Sequence, residues 1–556
     1  MNENKQEVLD KEVEPEAAEI TAMQQKMKPE EEIPIYDDKM DSEEITKSNK
    51  VSEVQKKKAK KVKTVMLRRE IGLFSAVGLI VSVMIGSGIF ITPKRVIEKS
   101  GSVALCLIIW AVCGIISYIG ALAFAELSIV VPSSGAEYAY FQAAFTNLHR
   151  FFGSLPSFIY VWVIVLLVRP AEVAILVLTF SEYVYSPIIK ALNVHLSPSV
   201  ELILKKLIAL FAITLITYIN YMSVKLYVKI QNIFSSLKVL ACVAVIFGGI
   251  YCLARGNVEH LKTGFQGTST NVKDLVLAIF NGLWAYDGWT SVTVVTEEIK
   301  QPQKNIPMSI SIGVPLITIL YFMMNVSYFS ILSPQEIIAS PAVATLFAEK
   351  LFGPVAFIIP LAVAFSTFGC GMSVQFGVAR LCLAAGRAGH LISCLSFIHI
   401  RKMTPAPAVM LQGILAIVFI MIGNITALIE FVGFLIWIFY GLAMVALLIM
   451  RHTKPDVNRT YKVPLFIPIF ICGLSLFLAI VPLVLEPAPQ YIGAMIFIAL
   501  GTLAYYIFIY KAMHPSWTGK ITCIVQILCS SIPAEVQPEN FSSLTLVKST
   551  EEKEKE

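Results

Sequence analysis

A chain of 556 residues that is 56% hydrophobic and only 15% charged, with a mean hydropathy of +0.70, carries more apolar side chain than an aqueous core hides. Its net charge of +6 is modest and gives no nucleic-acid signature. Ten cysteines lie scattered, several within apolar runs (Cys106, Cys113, Cys242, Cys370, Cys472), without a CxxC pair, which argues against a disulfide framework or a zinc site.

In chain order, residues 1–65 are acidic, then basic, and poor in aromatics, and read as a disordered tail. So long a polar stretch before the first apolar run does not fit a cleaved leader. Runs of the length that crosses a bilayer, roughly 20 apolar residues, follow at 71–92, 103–131, 155–181, 203–221, 231–254, 274–294, 308–332, 353–383, 406–423, 426–450, 464–485 and 489–511. They are numbered here as spans 1 to 12. Lipid leaves the edges of an open sheet unsatisfied, and a barrel would show short alternating strands. The pattern therefore predicts an all-α integral membrane protein with 12 transmembrane helices in a domain covering 66–512. Residues 513–556 form a C-terminal tail with a short helix.

Eight Lys or Arg between Lys56 and Arg69 place the N-terminus in the cytosol by the positive-inside rule, and an even number of spans brings the C-terminus to the same side. Arg387, Arg401 and Lys402 after span 8, and Arg451, Lys454, Arg459 and Lys462 after span 10, agree with that orientation. Lys190, Lys205, Arg255 and Lys262 near the loops after spans 3 and 5 fit it less cleanly. The sequon Asn424-Ile425-Thr426 sits in so tight a turn that it makes a poor glycan acceptor.

Two spans carry interruptions at matching places. Span 1 holds Ile85-Gly86-Ser87-Gly88, and span 6 holds Ala285-Tyr286-Asp287-Gly288-Trp289. Glycine costs about 1 kcal/mol relative to alanine inside a helix, so such clusters invite unwinding. A single cluster reads most simply as a close-packing site of the GxxxG kind. Two clusters five spans apart, one with a buried acid, instead suit a transporter built from an inverted five-helix repeat, here 71–254 and 274–450, followed by spans 11 and 12 at 464–511. In such folds the freed N–H groups and half-helix dipoles hold a carboxylate, while freed carbonyls hold a cation. An amino acid carries both charges. Gly86, Ser87 and Gly88 would supply the donors, and the carbonyls near Met84, Ile85 and Ala285 the acceptors.

Ionisable residues at membrane depth point to function. Asp287 would accept a cationic substrate group or, alternatively, cap free N–H groups of the unwound segment. Lys238 in span 5 would brace the break in span 1 as a fixed cation, or snorkel to the interface. Arg169 and Glu172, three residues apart in span 3, would pair with each other, with Pro170 between them as a kink. Trp284 would act as a lid over the site or as plain core. The helices show no metal-spaced histidine cluster and no Ser–His–Asp set, so an enzyme is disfavoured and no cofactor is implied.

Several long strings together resemble a known family. SVMIGSGIFITPK (Ser82 to Lys94), Glu126, PSSGAEYAY (Pro132 to Tyr140), GLWAYDGWTSVTVVTEEIKQPQKNIP (Gly282 to Pro307), MNVSYF, LAAGRAGHL and YKVPLFIPIF are similar to the light-chain subunits of heteromeric amino-acid transporters, the L-type family of the APC superfamily. The resemblance covers about 65 to 533. It implies a leucine-transporter-type fold, sodium-independent exchange of amino acids by alternating access, and a plasma-membrane setting. It also implies a gate at Trp284 and an ion substitute at Lys238. AYDGW is most similar to the broad-specificity members that exchange cationic and large neutral amino acids, where large-neutral exchangers carry Gly at the place of Asp287. Ile436 stands before Trp437 where the cystine/glutamate members carry arginine. An aromatic-preferring or large-neutral exchanger is the alternative within transport, and an amino-acid-binding membrane sensor the alternative outside it. The family's single-span glycoprotein heavy chain is attached through a cysteine in the loop after span 3. Residues 182–201 hold no cysteine, so a disulfide to a partner is not expected here.

Overall fold

The computed structural model describes residue 69 and residues 71–533 apart from 134, 195, 486–488 and 514, so the expected tail at 1–65 lies outside the described residues. Each of the twelve apolar runs contains a helix. Span 1 is Leu73–Met84 followed by Gly88–Ser100, bent by 51° at the junction. The others are Val103–Val130, Leu155–Leu192, Pro198–Met222, Val224–Ala254, Val272–Ala285, Pro302–Ile331, Ile358–Arg387, Ala406–Ile422, Ile425–Thr453, Phe466–Leu485 and Pro489–Tyr510. Among the described residues eight helices are long and apolar enough to cross a bilayer, and nine if the bent pair is one span. Span 6 falls short at 14 residues because it unwinds after Ala285, and span 9 at 17 because it turns directly into span 10. In that turn the Asn424 side chain accepts from the Ala427 N–H at 2.8 Å, so the sequon asparagine serves as a helix cap.

Of the boundaries that differ from those read in the sequence, three have a clear physical reason. Span 3 continues past 181 to Leu192 and stops where Asn193 turns left-handed at φ 50°. Helical hydrogen bonds are local and survive the exit of the chain from lipid, which hydropathy does not register. Span 5 begins at Val224, seven residues early, because Lys229 interrupts the apolar run and not the helix. Span 6 regains only one short helix, Ser291–Val294, and a 3₁₀ turn, Thr296–Glu298. The irregularity expected at Pro170 takes the form of a π-turn at Ile164–Val168, one place for a helix to absorb a missing N–H.

The packing repeats with a period of five spans. Span 2 lies on span 7, the second half of span 1 on span 6, span 3 on span 8, and span 4 on span 9. Each of these four elements therefore meets its own counterpart from the other half, as an inverted five-span repeat would place it. Spans 1, 2, 6 and 7 contact one another as one bundle, and spans 3, 4, 8 and 9 as another. Span 5 packs on spans 7 and 8. This is a twelve-helix, leucine-transporter-type architecture.

By span parity, two backbone pairings lie at the same end of the bundle. Ile71 donates to the Glu298 carbonyl at 3.0 Å and accepts from Lys300 at 2.9 Å, joining the start of span 1 to the end of span 6. Phe397–His399, after span 8, pairs antiparallel with Ser531–Pro533, which follows the tail helix Ser516–Cys529. At the ends of spans 2 and 10 the fully buried Glu126 receives both arms of the Arg451 guanidinium and the Val463 N–H at 2.9 Å.

A candidate binding site at two helix breaks

The sequence clusters at Gly86–Gly88 and Ala285–Gly288 are both interruptions, and they touch. Ile85 leaves helical geometry at ψ 82°, and helix resumes at Gly88. In span 6, Tyr286 and Asp287 bond back to Leu283 and Trp284 at 3.2 Å, and Gly288 then turns at φ 106°. A Cβ on Gly88 would stand 2.4 Å from the Ala285 Cα, and one on Gly288 would stand 2.8 Å from Val83 Cγ1. The glycines are there because two backbones cross where a side chain has no room.

The span 1 gap offers donors. Ser87, Gly88 and Ile89 open the second half-helix, and among the described residues no acceptor meets their N–H groups, as expected of a helix N-terminus. The acceptors expected on the other strand of the gap are already engaged. The Met84 carbonyl accepts from the Tyr321 hydroxyl at 2.6 Å and the Gly86 N–H at 2.8 Å, and the Ile85 carbonyl accepts from the Cys370 thiol at 3.6 Å. Met84, Ile85 and Ser87 are each at most 2% exposed.

Lys238 lies mid-helix in span 5, about 21 Å along from Val224 at 1.5 Å per residue. It is 1% exposed, which excludes snorkelling. Its ammonium donates to the Ser82 carbonyl in the last turn before the break and to Cys370 Sγ at 3.6 Å. A fixed positive charge thus sits against the C-terminal end of a half-helix, where the dipole favours it.

Asp287 is half-buried and accepts the Tyr440 hydroxyl at 2.5 Å. Among the described residues no N–H of the unwound segment bonds its carboxylate, so the capping alternative finds no support. With Trp284 it lines a small cavity that continues over Phe280, Ile436, Trp437 and Tyr440, about 10 Å³ in volume, barely what one water molecule needs. Arg169 pairs with Glu172 at 2.7 Å, as the i, i+3 spacing anticipates, and stands within electrostatic range of Asp287.

The site residues absent from the sequence reading are Tyr321, Cys370 and Tyr440. Only Tyr440 left a signal: it follows Trp437 by three residues and so shares a helix face with it. Tyr321 and Cys370 sit among many similar membrane residues, with nothing in their spacing to single them out.

Comparison with known proteins gives the family. Residues 71–513 match the amino acid permease family. The chain is 41% identical to the mouse b(0,+)-type amino acid transporter 1 over 482 residues, 86% of this chain and 96% of that one. It is 37% identical to the human cystine/glutamate transporter, covering 85% of this chain and 92% of that one. It is also 37% identical to the human large neutral amino acids transporter small subunit 2, covering 85% and 87%. The chain belongs to the amino acid permease family and is a multi-pass membrane transporter.

Proposed function

We propose that this chain is a sodium-independent exchanger of cationic and large neutral L-amino acids. The observation that carries the reading is Asp287, a half-buried carboxylate in the span 6 gap, held by Tyr440 and set beside Trp284 in a cavity next to the span 1 half-helix. The substrate carboxylate would take the N–H groups of Ser87, Gly88 and Ile89. The α-ammonium would take backbone carbonyls of the two gaps at Met84, Ile85 and Ala285 once the bundle opens. Asp287 would pair with a lysine or arginine side chain and repel glutamate. Ile436, which lines the same cavity, offers an acidic side chain no cation.

Lys238 fills with its own ammonium the place a coupling cation would need, and this supports sodium independence. Trp284 is the gate in this reading, swinging over the cavity as the bundle of spans 1, 2, 6 and 7 rocks against spans 3, 4, 8 and 9. The setting is the plasma membrane with both termini cytosolic. A single-span glycoprotein heavy chain would bind without a disulfide, because residues 182–201 lack cysteine. The relative whose name calls it a small subunit supports such a partner.

The experiment is uptake into proteoliposomes preloaded with arginine, leucine, tyrosine or glutamate, with and without sodium. Trans-stimulated arginine and leucine uptake, equal in both salts and weak for glutamate, is the expected result. Asp287→Gly should lose arginine flux and keep leucine flux. Undiminished arginine flux in that variant, or sodium-dependent uptake in the wild type, would overturn the reading.

A further inference from the structure

A second cavity of about 430 Å³ opens where the ends of spans 3 and 4 meet the helix Val343–Phe352, a size that suits a small molecule. Span 3 contributes Glu182, Tyr185 and Lys190, span 4 contributes Glu201, and the helix contributes Thr345 and Glu349. Lys205 is clamped between Glu182 and Glu201, at 2.7 Å from each, and lies over the Tyr185 ring at 4.9 Å. Its charge is spent twice over. Lys190 reaches Glu349 at 2.5 Å, but its side chain is 67% exposed, and such a pair contributes little and exchanges readily. Three carboxylates thus share two ammonium groups, and the cavity keeps an excess of negative charge. Thr345 is 5% exposed, and its hydroxyl has no hydrogen-bond partner, an uncommon deficit for a buried polar group. Among the described residues no three acidic, histidine or cysteine side chains converge closely enough to hold a metal ion. With Glu182 and Glu201 held on one ammonium, Glu349 is the carboxylate open to a hydrogen-bonding organic cation.

We infer that this cavity is a binding site for organic cations of the guanidinium or primary-ammonium class, separate from the helix breaks. The incoming cation displaces the exposed Lys190 from Glu349, takes that carboxylate as its main partner and lies against Thr345. The inference does not depend on the exchange reading. Agmatine tests it, because decarboxylated arginine keeps the guanidinium and lacks the carboxylate that the span 1 half-helix would hold. Saturable binding of radiolabelled agmatine to the full-length chain in detergent is expected. Glu349→Gln should weaken it about tenfold, the loss of one charge-assisted contact. Lys190→Gln, on an exposed side chain that leaves the fold intact, should tighten it severalfold by removing the competitor. Asp287→Gly should leave it unchanged. Absence of saturable binding, weaker or equal binding in Lys190→Gln, or binding lost in Asp287→Gly and kept in Glu349→Gln would overturn the assignment.

Discussion

Gly88 and Ala285 meet backbone to backbone: a Cβ built on the glycine would lie 2.4 Å from the Ala285 Cα and 2.8 Å from its Cβ. Neither neighbour is the far end of a flexible chain, so the clash is relieved only by parting the two half-helices. Gly88→Ala should therefore abolish transport and destabilise the fold by about 1–3 kcal/mol or more, the usual cost of overpacking. Gly377→Ala is the control, because nothing lies within 4 Å of its added Cβ inside span 8. It should be neutral or slightly stabilising through helix propensity. Thermal unfolding in detergent and leucine uptake check both. Normal transport in Gly88→Ala would mean that the breaks need no close approach.

Tyr440 fixes the rotamer of Asp287 with one short hydrogen bond. Tyr440→Phe keeps the ring packing against Phe124 and Trp289 and removes only that bond. If Asp287 reads cationic side chains, kcat/KM for arginine should fall about tenfold, the scale of a charge-assisted hydrogen bond, while that for leucine changes less than twofold. Equal losses for both substrates would make the tyrosine a general packing residue.

Lys238→Met keeps the length and apolar stem of the lysine and deletes the ammonium that Ser82 and Cys370 share. The gap then has an unfilled cation position at the end of a half-helix. Transport should fall at least tenfold in sodium-free medium, and added sodium should restore part of it. Wild-type flux in choline medium would show that the charge is not needed at that place. A loss equal in all salts, with lowered thermal stability, would make the lysine purely structural.

The sequence reading located what depends on length and on local chemistry. Twelve apolar runs became twelve helices, and the Gly86–Gly88 and Asp287–Gly288 clusters became breaks, because unwinding answers to glycine at those positions. Lys238 was legible as a buried charge. It lies deeper than the start of span 5 at 231 implies, because hydropathy misses the polar first turns of a helix that begins at Val224. The tyrosine and cysteine caps on the gap carbonyls could not be read at all. Tyr321 reaches Met84 across 237 positions of sequence and Cys370 reaches Ile85 across 285, and only the packing of spans 7 and 8 against span 1 brings them there. The second half of span 6 failed for the opposite reason: its apolar residues satisfy a helix pattern, but contacts with span 1 hold them in turns.

The connection between spans 7 and 8 carries a capping box that gives a pH dependence. Glu336 accepts the Ser333 N–H at 2.9 Å, the Ser333 hydroxyl caps the Glu336 N–H, and Lys350 pairs with the same carboxylate. The Lys350 bond, and then the Ser333 N–H, hold the Glu336 carboxyl down at about 2, from 4.5. A depressed folded value contributes stability that is complete above pH 4.5 and disappears as pH falls toward 2. Amide exchange in 334–352 should therefore quicken between pH 4.5 and 2 relative to span 7, after correction for intrinsic rates. Glu336→Gln should show the faster exchange already at pH 7 and lose the pH response. An unchanged profile in that variant would place the sensitivity elsewhere.

Glu126 and Arg451 form a deeply enclosed ion pair, at 0% and 10% side-chain exposure, and join spans 2 and 10. Arg459 approaches the same carboxylate at 3.7 Å and donates to the Met450 carbonyl at 2.8 Å. Removing one member of a buried pair leaves the other charge uncompensated, at a cost of about 3–5 kcal/mol. Glu126→Gln should accordingly lower the melting temperature sharply, and Arg451→Met should do so less, because Arg459 still faces the carboxylate. Combining Glu126→Gln with Arg451→Met and Arg459→Met should recover much of the loss, since no bare charge then remains at the site, and this non-additivity is the signature of direct coupling. Transport distinguishes a static brace from a moving one. If spans 2 and 10 stay joined through the cycle, the stabilised combined variant transports at near wild-type rate. If the cluster opens and closes with each turnover, its transport stays impaired although its stability has returned. Additive losses in the melting temperature would contradict the coupling itself, because two residues sharing a buried bidentate contact cannot act independently.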